Sequence, residues 1–185
     1  MIKDFNWKLL FIVTFSLLIS FISQAQASDT AVVQYVVDGD TVRVLLNGRS
    51  VAVRLLCIDA PEKESNKKAY KDAERFHEDI SSRNHAGKTA RDLLISILPK
   101  GTSVSLEYDK ERYDQYGRTL AVIKNIKGEL INQKMVEEGY AGVLCYKPNT
   151  RFYEQFERSL LDAKAHKRGA WGMSIELPNV VINSH

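Results

Sequence analysis

Residues 31–58 read AVVQYVVDGDTVRVLLNGRSVAVRLLCI, and this stretch decides the fold. Ala31–Val37 is Val-rich with one Tyr, the composition of a strand. Asp38-Gly39-Asp40 interrupts it. Thr41–Leu46 then resumes with Val42, Val44 and Leu46 on one face of a two-residue period. Asn47-Gly48 is the strongest short hairpin signal, because both residues accept the positive φ of a tight turn. Ser50–Ile58 alternates Val51, Val53, Leu55 and Cys57 against Ala52, Arg54 and Leu56. Three antiparallel strands in fewer than thirty residues open a meander.

Downstream, Lys63–Ala86 is polar and poor in aliphatics, and from Lys63 to Arg91 there are eight basic and five acidic residues. Such a run reads as a solvated surface loop or a marginal helix, with Tyr70–Ser82 its most helix-like part. From Gly87 onward Ala90, Leu93, Leu94, Ile97 and Leu98 fall on one helical stripe, ended by Pro99 and Gly101. Strands are expected at Thr102–Tyr108 and Arg118–Lys124, a helix at Leu130–Glu138 closed by Gly139, and a last short strand at Tyr140–Leu144. Phe152, Phe156, Leu160 and Ala163 mark an amphipathic helix within Asn149–Lys167, with Trp171 a packing anchor for it and an irregular tail from about 173. There is no internal repeat and no linker. The pattern predicts one α+β domain, a five-stranded OB-fold β-barrel with about three helices.

Upstream, Lys3 and Lys8 precede an apolar run, Leu9–Ile22, and Ala25-Gln26-Ala27 supplies small residues two apart. This is the order of an export signal over residues 1–27, and the run falls short of the ~20 residues that span a bilayer. A secreted or periplasmic protein, Ser28–His185, is the expectation. At 44% hydrophobic and 26% charged residues the chain is globular rather than disordered. Removing Lys3, Lys8 and Asp4 lowers the net charge from +3 to +2. That excess is too small for a polybasic footprint, so a nucleic-acid partner must be gripped by a local site. Two cysteines are too few for a disulfide-built scaffold, although an oxidising destination permits one bridge.

Two groups of acids stand at strand ends: Asp38 with Asp40, and Asp59 with Glu62. Clustered carboxylates supply the oxygen ligands that a hard divalent cation takes at ~2.3–2.6 Å. Asp-Gly-Asp alone is a common turn sequence, and it opens no EF-hand, because Val42 and Arg49 stand at ligand positions five and twelve. Arg54, in an otherwise apolar strand, must be compensated. Arg118 follows Tyr113-Asp114-Gln115-Tyr116-Gly117. Carboxylates, two guanidinium groups and a metal are the parts that phosphoryl transfer requires; plain ion pairs between those arginines and nearby acids are the simpler alternative. His77, His85, His166 and His185 lack ligand spacing. No Gly-rich phosphate loop or nucleophile elbow is present.

Asp-Gly-Asp-Thr at 38–41, Arg-Leu-Leu-Cys-Ile-Asp-Ala-Pro-Glu at 54–62 and Tyr-Asp-Gln-Tyr-Gly-Arg at 113–118 together resemble the staphylococcal nuclease family. Gly-Glu-Leu-Ile-Asn at 128–132, Gly139-Tyr140-Ala141 and Tyr146-Lys147-Pro148-Asn149 continue the resemblance, which runs from about Val32 to Trp171. It implies a monomeric, Ca²⁺-dependent nuclease, acting on DNA, RNA or both and cutting the P–O5′ bond to leave 3′-phosphates. By the same resemblance Asp40, Asp59 and the Ala60 carbonyl hold the metal, with Asp38 beside its waters. Glu62 positions or deprotonates the attacking water, Arg54 and Arg118 hold the scissile phosphate, and Tyr116 and Tyr146 line the nucleotide pocket. Leu144 stands where the staphylococcal enzyme has another pocket tyrosine, which bears on base preference rather than on chemistry. A catalytically weak nucleic-acid-binding module is the alternative; such modules lose the acids and arginines that are kept here. A calcium-binding envelope protein is a second. In the family arrangement Cys57 and Cys145 border the same site, as a disulfide or as two separate buried thiols. Lys63–Ala86 is expected to form a mobile lid beside it, with Lys63, Lys67, Lys68 and Lys71 toward the polyanion and Asp72, Glu74, Glu78 and Asp79 toward solvent; a passive surface insertion is the alternative.

Overall fold

The computed structural model describes residues 28–182; the expected export signal lies outside them. Strands β1 (Ser28–Asp38), β2 (Thr41–Leu46) and β3 (Arg49–Leu55) form the expected meander, with Val36 opposite Val42 and Val44 opposite Val51. After the short β4 (Ile58–Asp59) come helices α1 (Lys67–Phe76) and α2 (Ile80–Ile97), then β5 (Ser103–Glu107) and β6 (Thr119–Lys124). β5 pairs with β1 and β6 runs parallel to β3, which closes a five-stranded barrel in the order β1-β2-β3-β6-β5. Val42, Val44, Val53 and Leu106 fill its interior without exposure. Closure removes the open edges that a meander would otherwise expose.

Helix α3 (Ile131–Glu137), strand β7 (Gly142–Tyr146), helix α4 (Tyr153–Ala165), a 3-10 turn (Gly169–Met173) and β8 (Asn179–Ile182) complete the described chain. Phe156, Leu160 and Ala163 are buried as the α4 spacing predicts, and Trp171 packs behind them. Cys57 and Cys145 are joined by a disulfide, S–S 2.05 Å, which links the β3–β4 turn to β7.

The expected last strand, β7, lies in a second sheet, β4-β7-β8. Two expectations need correction. Residues 174–182 are not irregular: Ile175 and Leu177 are buried, and β8 lies parallel to β7. Four residues are too few to show a period. Most of Lys63–Ala86 is helical, which makes four α-helices rather than three. Polar caps build them. The Asn66 side chain accepts from Ala69 N at 2.9 Å to start α1, His77 at φ 56° ends it, and Asp79 accepts from Ser82 N at 2.8 Å to start α2. The same polar residues that suggested a loop are the start signals of two helices.

Candidate active site

The acids converge because two backbone approaches force them together. Gly39 has no side chain where a Cβ would fall 2.7 Å from Ala60 Cβ and 2.9 Å from Ala90 Cβ. Gly87 lets α2 lie against the Glu62 carbonyl, where a Cβ would collide with that carbonyl and fall 2.7 Å from Lys63 N. The β1–β2 turn and the segment after β4 are therefore clamped between barrel and helix. Asp40 and Asp59 point into this corner, only 7% and 5% exposed. Thr41 Oγ1 donates to Asp40 Oδ1 at 2.9 Å and Ala60 N to Asp40 Oδ2 at 3.0 Å, which fixes the carboxylate.

Arg54 joins the two acids. Its Nη2 lies 3.1 Å from Asp40 Oδ2 and 2.9 Å from Asp59 Oδ1, and its Nη1 donates to the carbonyls of Ile58 at 2.8 Å and Leu55 at 3.1 Å. Burial works against its charge, but Asp40 and Asp59 outweigh that and raise its pKa. Burial pushes Asp59 up as well, with Lys68 and Arg54 opposing. Asp38 is pushed up to about 6, chiefly by burial, against the Gly39 N–H it accepts and with Asp40 and Glu62 adding to the rise. This corner carries more negative charge than its residues readily hold.

Glu62 is held from the start of α1: Asn66 Nδ2 donates to Oε2 at 2.7 Å and Lys68 Nζ lies 3.2 Å from Oε1. Arg118 stands apart from this cluster. It precedes β6, whose register sets Thr119 beside Val53 and Leu120 beside Arg54, so it enters next to the strand that carries Arg54. Asp114 orders its turn, accepting from Tyr116 N and Arg118 N at 2.9 Å and from Arg118 Nε at 2.6 Å. Burial opposes the low pKa of Asp114, and the Arg118 contacts prevail. The remaining Arg118 nitrogens have no hydrogen-bond partner among the described residues, and the guanidinium lies 5.5 Å from the Tyr116 ring centre. Tyr116 and Tyr146 are 74% and 51% exposed. Asn149 bridges Glu111 N and O at 2.8 and 2.9 Å and so ties the Arg118 loop to the segment after β7.

The structure thus gathers Asp38, Asp40, Arg54, Asp59, Ala60 and Glu62, while Arg118, Tyr116 and Tyr146 stand on neighbouring segments. His77, His85 and His166 are exposed, as expected, and His185 lies outside the described residues. The charges on and around α1 depart from expectation. Asp72 and Glu78 turn inward, with side chains 16% and 6% exposed, and Lys63 Nζ donates to the Val37 carbonyl at 2.8 Å instead of facing a substrate. Sequence reasoning missed Asn66, Thr41 and Asp114 as supports. Only Asp114 carried a local signal, an acid four residues before an arginine within a turn.

Among the described residues no three His, Cys, Asp or Glu side chains form a metal cage. What the corner offers a hard cation is two buried carboxylates, Asp40 and Asp59, which meet at Arg54 Nη2, with the Ala60 carbonyl next along the chain.

The family profile described as staphylococcal nuclease homologue matches residues 52–173. The chain is 34% identical over 149 residues to endonuclease YncB of Bacillus subtilis, covering 80% of this chain and 64% of that protein. It is 36% identical over 137 residues to the SPbeta prophage-derived endonuclease YokF of the same organism, covering 73% and 41%. With the thermonuclease of Staphylococcus hyicus it shares 33% over 136 residues, 74% of this chain and 72% of the other. It therefore spans less than two thirds of both Bacillus proteins. By profile, relatives and barrel alike, the chain belongs to the staphylococcal nuclease family.

Proposed function

We propose that the protein is an exported, Ca²⁺-dependent nuclease that hydrolyses phosphodiester bonds of DNA, RNA or both, cutting P–O5′ to leave 3′-phosphates. The observation that carries this reading is the meeting of Asp40 Oδ2 and Asp59 Oδ1 at Arg54 Nη2, 3.1 and 2.9 Å away. An anionic corner built around a guanidinium suits a phosphate group and a dication together. Asp40, Asp59 and the Ala60 carbonyl would hold the cation. When bound, it supplies Lewis-acid polarisation of a phosphate oxygen.

Arg54 offsets charge on the scissile phosphate from the barrel side. Arg118, free to reach from its Asp114-braced loop, offsets charge from the other. Glu62 accepts the proton of the attacking water and is aimed by Asn66. Asp38 steadies water around the corner. Exposed Tyr116 and Tyr146 offer faces on which bases stack. No helix among the described residues is long and apolar enough to cross a membrane.

The test is cleavage of single-stranded DNA and RNA by residues 28–185, with Ca²⁺ and with chelator, beside Glu62→Gln and Arg54→Ala. Each variant is expected to lose roughly 10²-fold or more, the scale of removing a preorganised transition-state contact. Undiminished cleavage in excess chelator overturns the metal assignment. A chain that binds both polymers and cuts neither would be the binding module.

A further inference from the structure

The ion pairs beneath α1 form a chain that the proposed chemistry does not use. Lys68 Nζ is 3.2 Å from each of Asp59 Oδ2, Glu62 Oε1 and Asp72 Oδ2. Asp72 Oδ2 is 3.6 Å from Arg83 Nη2, and Arg83, almost fully buried, pairs with Glu78 at 2.6 Å. Charge alternates from the catalytic corner through α1 into α2. The Lys68 stem is partly exposed, yet its nitrogen is closed off from solvent and makes no aligned hydrogen bond. It is held by charge alone, between three carboxylates.

The oxygens it takes matter. Arg54 occupies Asp59 Oδ1, while Lys68 covers Oδ2. Arg54 and Ala60 N already use Asp40 Oδ2. A dication on Asp59 therefore meets Lys68 first. Two cations on one carboxylate, partly shut from solvent, repel each other with little screening. Asp72 offers the ammonium another hold one helical turn along α1.

We propose that Lys68 is a positioning residue of this site: its ammonium holds Asp59 and Glu62 until a divalent cation binds, then shifts its hold to Asp72. Docking of α1 and metal binding are thereby coupled, and the coupling is reciprocal. The inference rests on the metal reading of the corner given above.

Calorimetric Ca²⁺ titration of residues 28–185 and three variants tests it without any turnover. Lys68→Met should bind Ca²⁺ roughly tenfold tighter, within the ~5–150-fold range of such couplings. Asp72→Asn, which leaves Lys68 no second anchor, should bind it more weakly, and Lys68→Arg should stay close to the parent. Loss of a merely structural contact would move Lys68→Met and Asp72→Asn in the same direction. Hydrogen exchange supplies a readout on the unaltered protein: α1 amides should exchange faster when Ca²⁺ is bound. Unchanged or weaker Ca²⁺ binding by Lys68→Met, or α1 exchange indifferent to Ca²⁺, overturns the role of Lys68. Absence of any Ca²⁺ binding by the parent protein overturns the metal reading itself, and this role with it.

Discussion

The two halves of the catalytic corner are built by different physics. Asp40, Arg54 and Asp59 stand on strand ends backed by Val42, Val53, Leu55 and Ile58, all at most 1% exposed, and Cys57–Cys145 fastens the adjoining turn to β7. Asn66 and Lys68 stand on α1, whose buried residues are Ala69 and Ala73. At ~0.8 kcal/mol per buried methyl-sized group, those alanines give α1 little apolar hold, and its Asn66 cap contributes about 1 kcal/mol. Charge has to supply the rest. A corner of this kind keeps its phosphate-facing half rigid and leaves the half that aims Glu62 responsive to ions.

The largest effect expected lies on the rigid side. The disulfide closes a separation of 88 residues, for which the chain-entropy relation gives about 4.6 kcal/mol. The Cys57→Ala/Cys145→Ala pair should lose stability on that scale in denaturant unfolding, with α1 no more affected than the barrel. A loss confined to α1 would reverse the assignment of rigid and responsive halves.

Charge also works inside the barrel wall, which sharpens the contrast. Glu107 is buried at the end of β5 and paired with Lys124 and with Arg151, the latter at 2.6 Å. Burial raises its pKa, but the two cations outweigh burial and hold it below the usual 4.5. The folded chain then releases this proton at lower pH than the unfolded one. Its contribution is complete above about pH 4.5 and is lost as pH falls through the lowered folded value. Glu107→Gln should cost about 1 kcal/mol at neutral pH, given partners a third exposed, and should flatten the acid limb of the stability profile. An acid limb as steep in the variant as in the parent would show that this pair contributes nothing.

The same division governs what could be read from sequence. The barrel was legible because alternating Val and Leu declare a buried face, and Asp40, Arg54 and Asp59 stood out as charges at the ends of apolar strands. The α2 stripe from Ala90 to Leu98 was legible by its period, but its first turns carry Ser81, Ser82, Arg83, Asn84 and His85, which show none. Lys68 was indistinguishable by composition from Lys63, Lys67 and Lys71. Only the helical register that sets it over Asp72 and against Asp59 separates it from them. Residues placed by apolar burial announce themselves; residues placed by three-way charge contacts need the helix first.

The smallest effect is the response of α1 to simple salt. A free helix of ten residues is marginal in water, so protection of the α1 amides measures how firmly its charges hold it to the corner. Raising NaCl from about 0.05 M to 1 M shortens the Debye length to ~3 Å, comparable to the 3.2 Å contacts of Lys68. Because the ammonium nitrogen is closed off from solvent, screening should weaken those contacts only in part. Exchange of α1 amides should therefore rise severalfold, while amides of β2 and β3, secured by the barrel ladder, should not change. Salt that accelerates both regions equally would mean global opening, and α1 would then belong to the barrel's cooperative unit. Salt that accelerates neither would mean that Ala69, Ala73 and the Asn66 cap suffice, and that α1 is as firmly built as the barrel strands.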